Sequence, residues 1–194
     1  MRLIGLTGSI GMGKSATAAM FREAGVPVFD ADAAVHEIYR QPPTPDFRES
    51  FHDAIVEDAI DRGKLAELMV ADPSRLPHLE RIVHPLVGAS RAAFLRDART
   101  ANRPAVVLDI PLLMETKAEG AVDVVVVVSA PAETQRTRTL GRPGMTPQKF
   151  EMILSKQVPD VEKRRRAHFV IDTGRGFDYA RRQVASLLAA IGSF

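Results

Sequence analysis

The sequence predicts an α/β fold: one parallel sheet interrupted by two helical insertions. Three observations carry that expectation. Strand, glycine-rich loop, helix and second strand follow one another within the first thirty residues, a βαβ unit whose strands must run parallel. Val124 to Val128 form the unbroken β-branched run of a strand covered on both faces. Two long stretches of helical periodicity, residues 33–102 and 131–166, separate the strands.

The elements follow in order. Residues 2–7 read as a short buried strand, and Ser15 to Ala24 as a helix with Thr17, Met20, Phe21 and Ala24 on one face. Gly25 ends that helix as its C′ residue, and Val26 to Phe29 is the next apolar run. The stretch from Ala33 to Asn102 reads as helical, with caps and breaks at Pro42-Pro43, Asp72-Pro73 and His84-Pro85. Ala105 to Ile110 and Val122 to Ser129 are the next strands. Thr146-Pro147 then reads as an N-cap followed by proline at N1, with Phe150, Ile153, Leu154 and Gln157 on one helical face. Phe169 to Ile171 is a fifth strand. The last helix, Tyr179 to Ile191, carries Ala180, Val184, Leu187, Leu188 and Ile191 on one stripe to cover a sheet face.

Composition limits the function classes. A chain of 194 residues suits one domain with insertions, and the absence of cysteine excludes disulfides, thiolate metal sites and a cysteine nucleophile. The cytoplasm is the expected compartment. The apolar run at Met1 to Thr7 is too short for a signal peptide, and Val122 to Pro131 falls far below the roughly 20 residues that span a bilayer, so no membrane segment is expected. A net charge of +2 implies no nucleic-acid partner, yet residues 134–166 hold nine Lys/Arg against three Asp/Glu.

Gly8-Ser9-Ile10-Gly11-Met12-Gly13-Lys14-Ser15 fits G-x-x-x-x-G-K-[ST] between a predicted strand and a predicted helix, the context a P-loop needs. Its glycines let successive N–H groups converge on phosphates at a helix N-terminus. Lys14 is expected at the β- and γ-phosphates. The Ser15 hydroxyl is expected on Mg²⁺, which takes hard oxygen ligands. The fold expectation is thereby a P-loop NTPase core.

A P-loop does not by itself separate kinases from switches, so the acceptor side decides. Asp30-Ala31-Asp32 follows the second strand, at the sheet edge where open α/β folds place ligands. Asp32 is assigned to the acceptor hydroxyl as proton acceptor and Asp30 to capping the next helix. Asp109 ends an apolar strand either as a Walker-B carboxylate or merely as its terminus. Arg138 and Arg142 sit at i, i+4 of a predicted helix and suit the charge of a transferring phosphoryl group; Arg164-Arg165-Arg166 read as a solvated face. A nucleoside monophosphate kinase has less need of a base at Asp32, and no Asn-Lys-x-Asp tetrapeptide marks a guanine-nucleotide switch.

Together, the Gly8–Ser15 loop, Asp30-Ala31-Asp32, Leu79-Glu80-Arg81-Ile82-Val83-His84-Pro85, Pro111-Leu112-Leu113-Met114-Glu115, Arg138, Arg142, Gln157, Lys163 and Val170-Ile171-Asp172 resemble the dephospho-CoA kinase family in type and order, over nearly the whole chain. The resemblance implies a kinase core at residues 1–32, 103–130 and 167–194, a helical acceptor domain at 33–102 and a lid at 131–166. It implies transfer from ATP to the ribose 3′-hydroxyl of dephospho-CoA. Gly8, Gly11, Met12, Gly13, Lys14, Ser15 and Ala16 would bind ATP, Asp32 would activate the hydroxyl, and Arg138 and Arg142 would belong to the lid. His84, Pro85, Leu112 and Leu113 would line the acceptor side, the leucines having core packing as their alternative. Ser9, Met12 and Ala16 depart from the family's usual Gly, Ser and Thr; Pro143 stands where an Asp often follows the lid arginine, and Thr173 where an Asn is common.

Overall fold

The computed structural model describes residues 1–192. The chain divides into two compact units: residues 1–29 with the chain from 98 onward, and residues 30–97.

The first unit is built on a sheet. β1 (Arg2–Thr7) leads through the glycine loop into α1 (Lys14–Glu23), which ends before Gly25 at φ 80°, the left-handed C′ position read from the sequence. β2 (Val28–Asp30) follows.

Residues 30–97 begin with α2 (Ala31–Arg40), capped by Asp30, whose Oδ1 accepts from the Ala33 N–H at 3.0 Å. α3 (Pro45–Phe51) has Thr44 as cap and proline at N1. A hairpin absent from the sequence reading comes next, β3 (Ile55–Val56) and β4 (Ala59–Ile60). Its turn residues Glu57 and Asp58 both have positive φ, as a type I′ hairpin turn requires, but carry no Asn or Gly signal. α4 (Arg62–Ala71) and α5 (Leu76–Thr100) complete the unit. The expected break at His84-Pro85 does not occur: α5 runs 25 residues with Pro85 inside it. Proline removes one backbone donor there, but Leu79 and Val83 pack with Phe47, Phe51 and Leu65 in the unit's own core, and that burial outweighs the cost of about 3 kcal/mol.

The chain returns to the sheet with β5 (Ala105–Asp109) and β6 (Val124–Ser129), then α6 (Ala132–Leu140), α7 (Pro147–Ser155), α8 (Asp160–Arg166), β7 (Phe169–Asp172) and α9 (Phe177–Ala190). The strand order is β2-β5-β1-β6-β7, and β1 pairs in parallel with β5 and β6, as β6 does with β7. The valine run of β6 serves both faces. Val124, Val126 and Val128 join the cluster containing Phe21 of α1 and Val184, Leu187 and Leu188 of α9, while Val125 and Val127 join Leu113 and Met114 on the other side. The sheet is therefore buried twice over, which leaves its strand ends as the place for chemistry. Among the described residues no helix is long and apolar enough to cross a membrane.

Candidate active site

The carboxyl end of β1 opens into the phosphate loop, and the parallel neighbour β5 ends at Asp109 on the same edge. Gly11 and Gly13 take φ 78° and 93°, the left-handed region glycine tolerates. Both positions are also packed. A Cβ on Gly11 would lie 2.2 Å from Thr139 Oγ1 and 2.8 Å from the Gln135 carbonyl oxygen, both on α6. Gly11→Ala is expected to lower Tm by several degrees, because backbone strain and steric clash coincide at this position; thermal melts check it.

Lys14 opens α1 and its Nζ is ion-paired with Asp109 Oδ1; the Asp109 side chain is only 2% exposed. Asp109 is thus more than a strand terminus: it holds the loop lysine at the strand edge. Ser15, in the first turn of α1, is exposed. The Met12 side chain is buried, with its Sδ accepting from the Ala130 N–H at 3.1 Å, so at that position only backbone is available to a ligand. Gly8 is buried and Ala16 half-buried.

Arg138 lies near the end of α6. Its guanidinium forks onto Thr173, donating to the hydroxyl at 2.9 Å and to the carbonyl at 2.8 Å. The Thr173 hydroxyl in turn donates to the Met12 carbonyl at 2.7 Å. Thr173 therefore links an arginine to the glycine loop, a role that sequence spacing does not reveal. The pairing of Arg138 and Arg142 on one helix needs correction: α6 stops at Leu140 with Gly141 as its cap, and Arg142 lies in the turn beyond, its N–H donating to the Thr139 carbonyl at 3.1 Å. The two arginines still meet, lining one cavity of about 280 Å³ with Gly11, Gly13, Thr173 and Phe177.

The same unit contains a buried ion pair. Lys163 of α8 is fully buried, and its Nζ lies 2.8 Å from Glu115 Oε1, which also accepts from the Val158 N–H at 3.0 Å. Burial pushes the Glu115 carboxyl up, but the Lys163 hydrogen bond, the backbone N–H groups and the Lys163 charge outweigh it and hold the carboxyl below its ordinary range. Of the basic run beside it, Arg165 pairs with Glu162 and Arg166 with Glu119, while Arg164 is exposed.

Leu113 requires a second correction. It is fully buried in the cluster with Met114, Val125 and Val127, so it is a core side chain rather than a lining one; Leu112 is 45% exposed. In the other unit, Asp32 is exposed in the first turn of α2, and His84 and Pro85 are exposed on α5. Pro85 lines a cavity of that unit with Arg81 and His78. Among the described residues no cluster of three or more His, Cys, Asp or Glu is placed to hold a metal.

The family model described as "Dephospho-CoA kinase" matches residues 2–178. A dephospho-CoA kinase of Bradyrhizobium diazoefficiens is 53% identical, over 98% of this chain and 96% of that protein. One of Agrobacterium fabrum is 52% identical over 100% of both. Among solved structures, that of a Thermus thermophilus protein superposes with a TM-score of 0.81 at 34% identity, covering 97% of this chain and 96% of its own.

Proposed function

The chain belongs to the dephospho-CoA kinase family, and from that premise we propose how its residues divide the work. The reaction is phosphorylation of the ribose 3′-hydroxyl of dephospho-CoA by ATP, giving CoA and ADP, the last step of coenzyme A biosynthesis. The observation that carries the assignment of roles is the glycine loop with Lys14 held by Asp109 at its mouth.

The triphosphate lies along residues 8–16, where the α1 N-terminus and loop amides supply positive field. Lys14 leaves its pairing with Asp109 in part to meet the β- and γ-phosphates. The Ser15 hydroxyl would hold Mg²⁺, with the Asp109 carboxylate as a further hard-oxygen donor of the kind this ion takes. Held there, the ion would supply positive charge against the phosphate oxygens. Arg138 and Arg142 stabilise the charge that develops on the moving phosphoryl group. The nucleoside occupies the 280 Å³ cavity, where the exposed ring of Phe177 offers a face to the base.

Asp32 accepts the proton of the attacking 3′-hydroxyl. His84, Pro85 and Leu112 contact the acceptor, residues 33–102 forming its domain and residues 131–166 the lid. Within the lid, motion falls to residues 141–156, because Gln135 and Arg138 on one side and Lys163 on the other are tied to the sheet unit. Closure excludes water, so that ATP is spent on the acceptor.

The test is ADP formation from ATP and Mg²⁺ with dephospho-CoA, AMP, adenosine or no acceptor. Rapid turnover is expected with dephospho-CoA alone. Turnover with AMP only, or without acceptor, would sink the reading.

A further inference from the structure

We propose that Gln135 and Gln157 are positioning residues that clamp the backbone of Ile10 and thereby aim the amides of the phosphate loop. Ile10 is held at both polar groups: its N–H donates to Gln157 Oε1 at 3.1 Å, and its carbonyl accepts from Gln135 Nε2 at 2.8 Å. The two amides cannot be turned round. A backbone N–H needs an acceptor and a backbone carbonyl a donor, so each partner fixes which end of its glutamine faces the loop.

The consequence follows from the planarity of the peptide unit. In a trans peptide the carbonyl of one residue and the N–H of the next point in opposite directions. Drawing the Ile10 carbonyl toward Gln135 therefore turns the Gly11 N–H to the opposite side. Gln157 occupies the Ile10 N–H, while the Ser9 carbonyl of that same peptide accepts from the Met12 N–H at 3.2 Å. Two consecutive peptides are thus oriented before any nucleotide arrives, and a preorganised anion site does not pay reorganisation on binding.

Both glutamines are themselves held. Gln135 is 6% exposed on α6, and its own carbonyl accepts from the Thr139 hydroxyl at 2.8 Å. Gln157 follows α7 and directly precedes Val158, whose N–H is anchored to Glu115 of the buried pair with Lys163. The clamp therefore ties the phosphate loop to both ends of the segment that carries Arg142.

The inference rests on ATP occupying the phosphate loop, and the experiment separates the two. Gln135→Glu and Gln157→Glu add the same charge beside the same residue, but only Gln135→Glu replaces the needed donor by an acceptor. Assayed at pH 9 to keep both carboxyls ionised, Gln135→Glu is expected to show a KM for ATP about tenfold above that of Gln157→Glu. The KM for dephospho-CoA and the kcat at saturating ATP should stay within about threefold of wild type. Should Gln135→Glu fail to fold, Gln135→Met and Gln157→Met each remove one hydrogen bond without charge, and both should raise the KM for ATP about tenfold. Equal ATP KM values in folded variants of the glutamate pair, unchanged values in the methionine pair, or a parallel rise in both substrates' KM would overturn the clamp while leaving the kinase assignment intact. Failure of the wild-type protein to bind ATP or ADP in calorimetry would overturn both.

Discussion

Asp32→Asn is expected to lower kcat by about 10²–10⁴-fold while leaving the affinity for ATP within about twofold of wild type. Asparagine has the same shape but cannot accept the proton of an attacking hydroxyl. The fold should hardly notice the change. Asp30, not Asp32, supplies the capping bond to the Ala33 N–H, and Asp32 is exposed in the first turn of α2. What Asp32 contributes to the helix is its favourable interaction with the dipole, about 0.3–1 kcal/mol, a shift of a few degrees in Tm at most. A loss of two to four orders of magnitude in rate corresponds to about 3–5 kcal/mol, so the catalytic effect greatly exceeds the structural one. Steady-state kinetics alongside ATP titration separates the outcomes. Collapse of ATP affinity would mean that Asp32 serves the nucleotide or its metal rather than the acceptor.

Lys163→Met is expected to cost about 3 kcal/mol of stability, measured by denaturant unfolding at pH 7.5. Removing one partner of a buried pair leaves the Glu115 charge with no cation beside it and only the Val158 N–H on Oε1, while Oε2 has no hydrogen-bond partner to fall back on. The lower end of the usual range applies because Glu115 keeps 12% of its side-chain surface. Glu115→Gln combined with Lys163→Met should recover much of the loss, since it removes the orphaned charge.

The pH dependence has a definite sign. In wild type the Glu115 carboxyl is held below its ordinary value of 4.5, so its contribution is present above that value and is lost as pH falls through the folded-state pKa. In Lys163→Met both Lys163 contributions are gone and only the backbone N–H groups still oppose burial, so the carboxyl rises relative to wild type and the variant gains relative stability as the pH falls. The gap between the two proteins should therefore narrow from pH 7.5 toward pH 4. A gap that stays constant, or widens, would mean that Lys163 acts through packing rather than charge.

Local chemistry determined much of this protein at the level of sequence. The G-x-x-x-x-G-K-S spacing places a phosphate loop because it encodes a turn and a helix start within eight consecutive residues. The valine run predicts a doubly covered strand because alternate side chains of β6 leave opposite faces. Asp30, Thr146 and Gly25 are legible as caps because a cap joins residues at most a few positions apart. Tertiary structure alone decided the rest. It placed Lys14 against Asp109 across 95 positions, Gln157 and Gln135 on Ile10 across 147 and 125, and Thr173 on Met12 across 161. It also assigned Leu113 to the core and Leu112 to the surface, and carried α5 through Pro85. Patterns of propensity and capping are short-ranged, whereas a hydrogen bond between distant residues forms only after the sheet order has brought them together, so no periodicity in the chain can announce it.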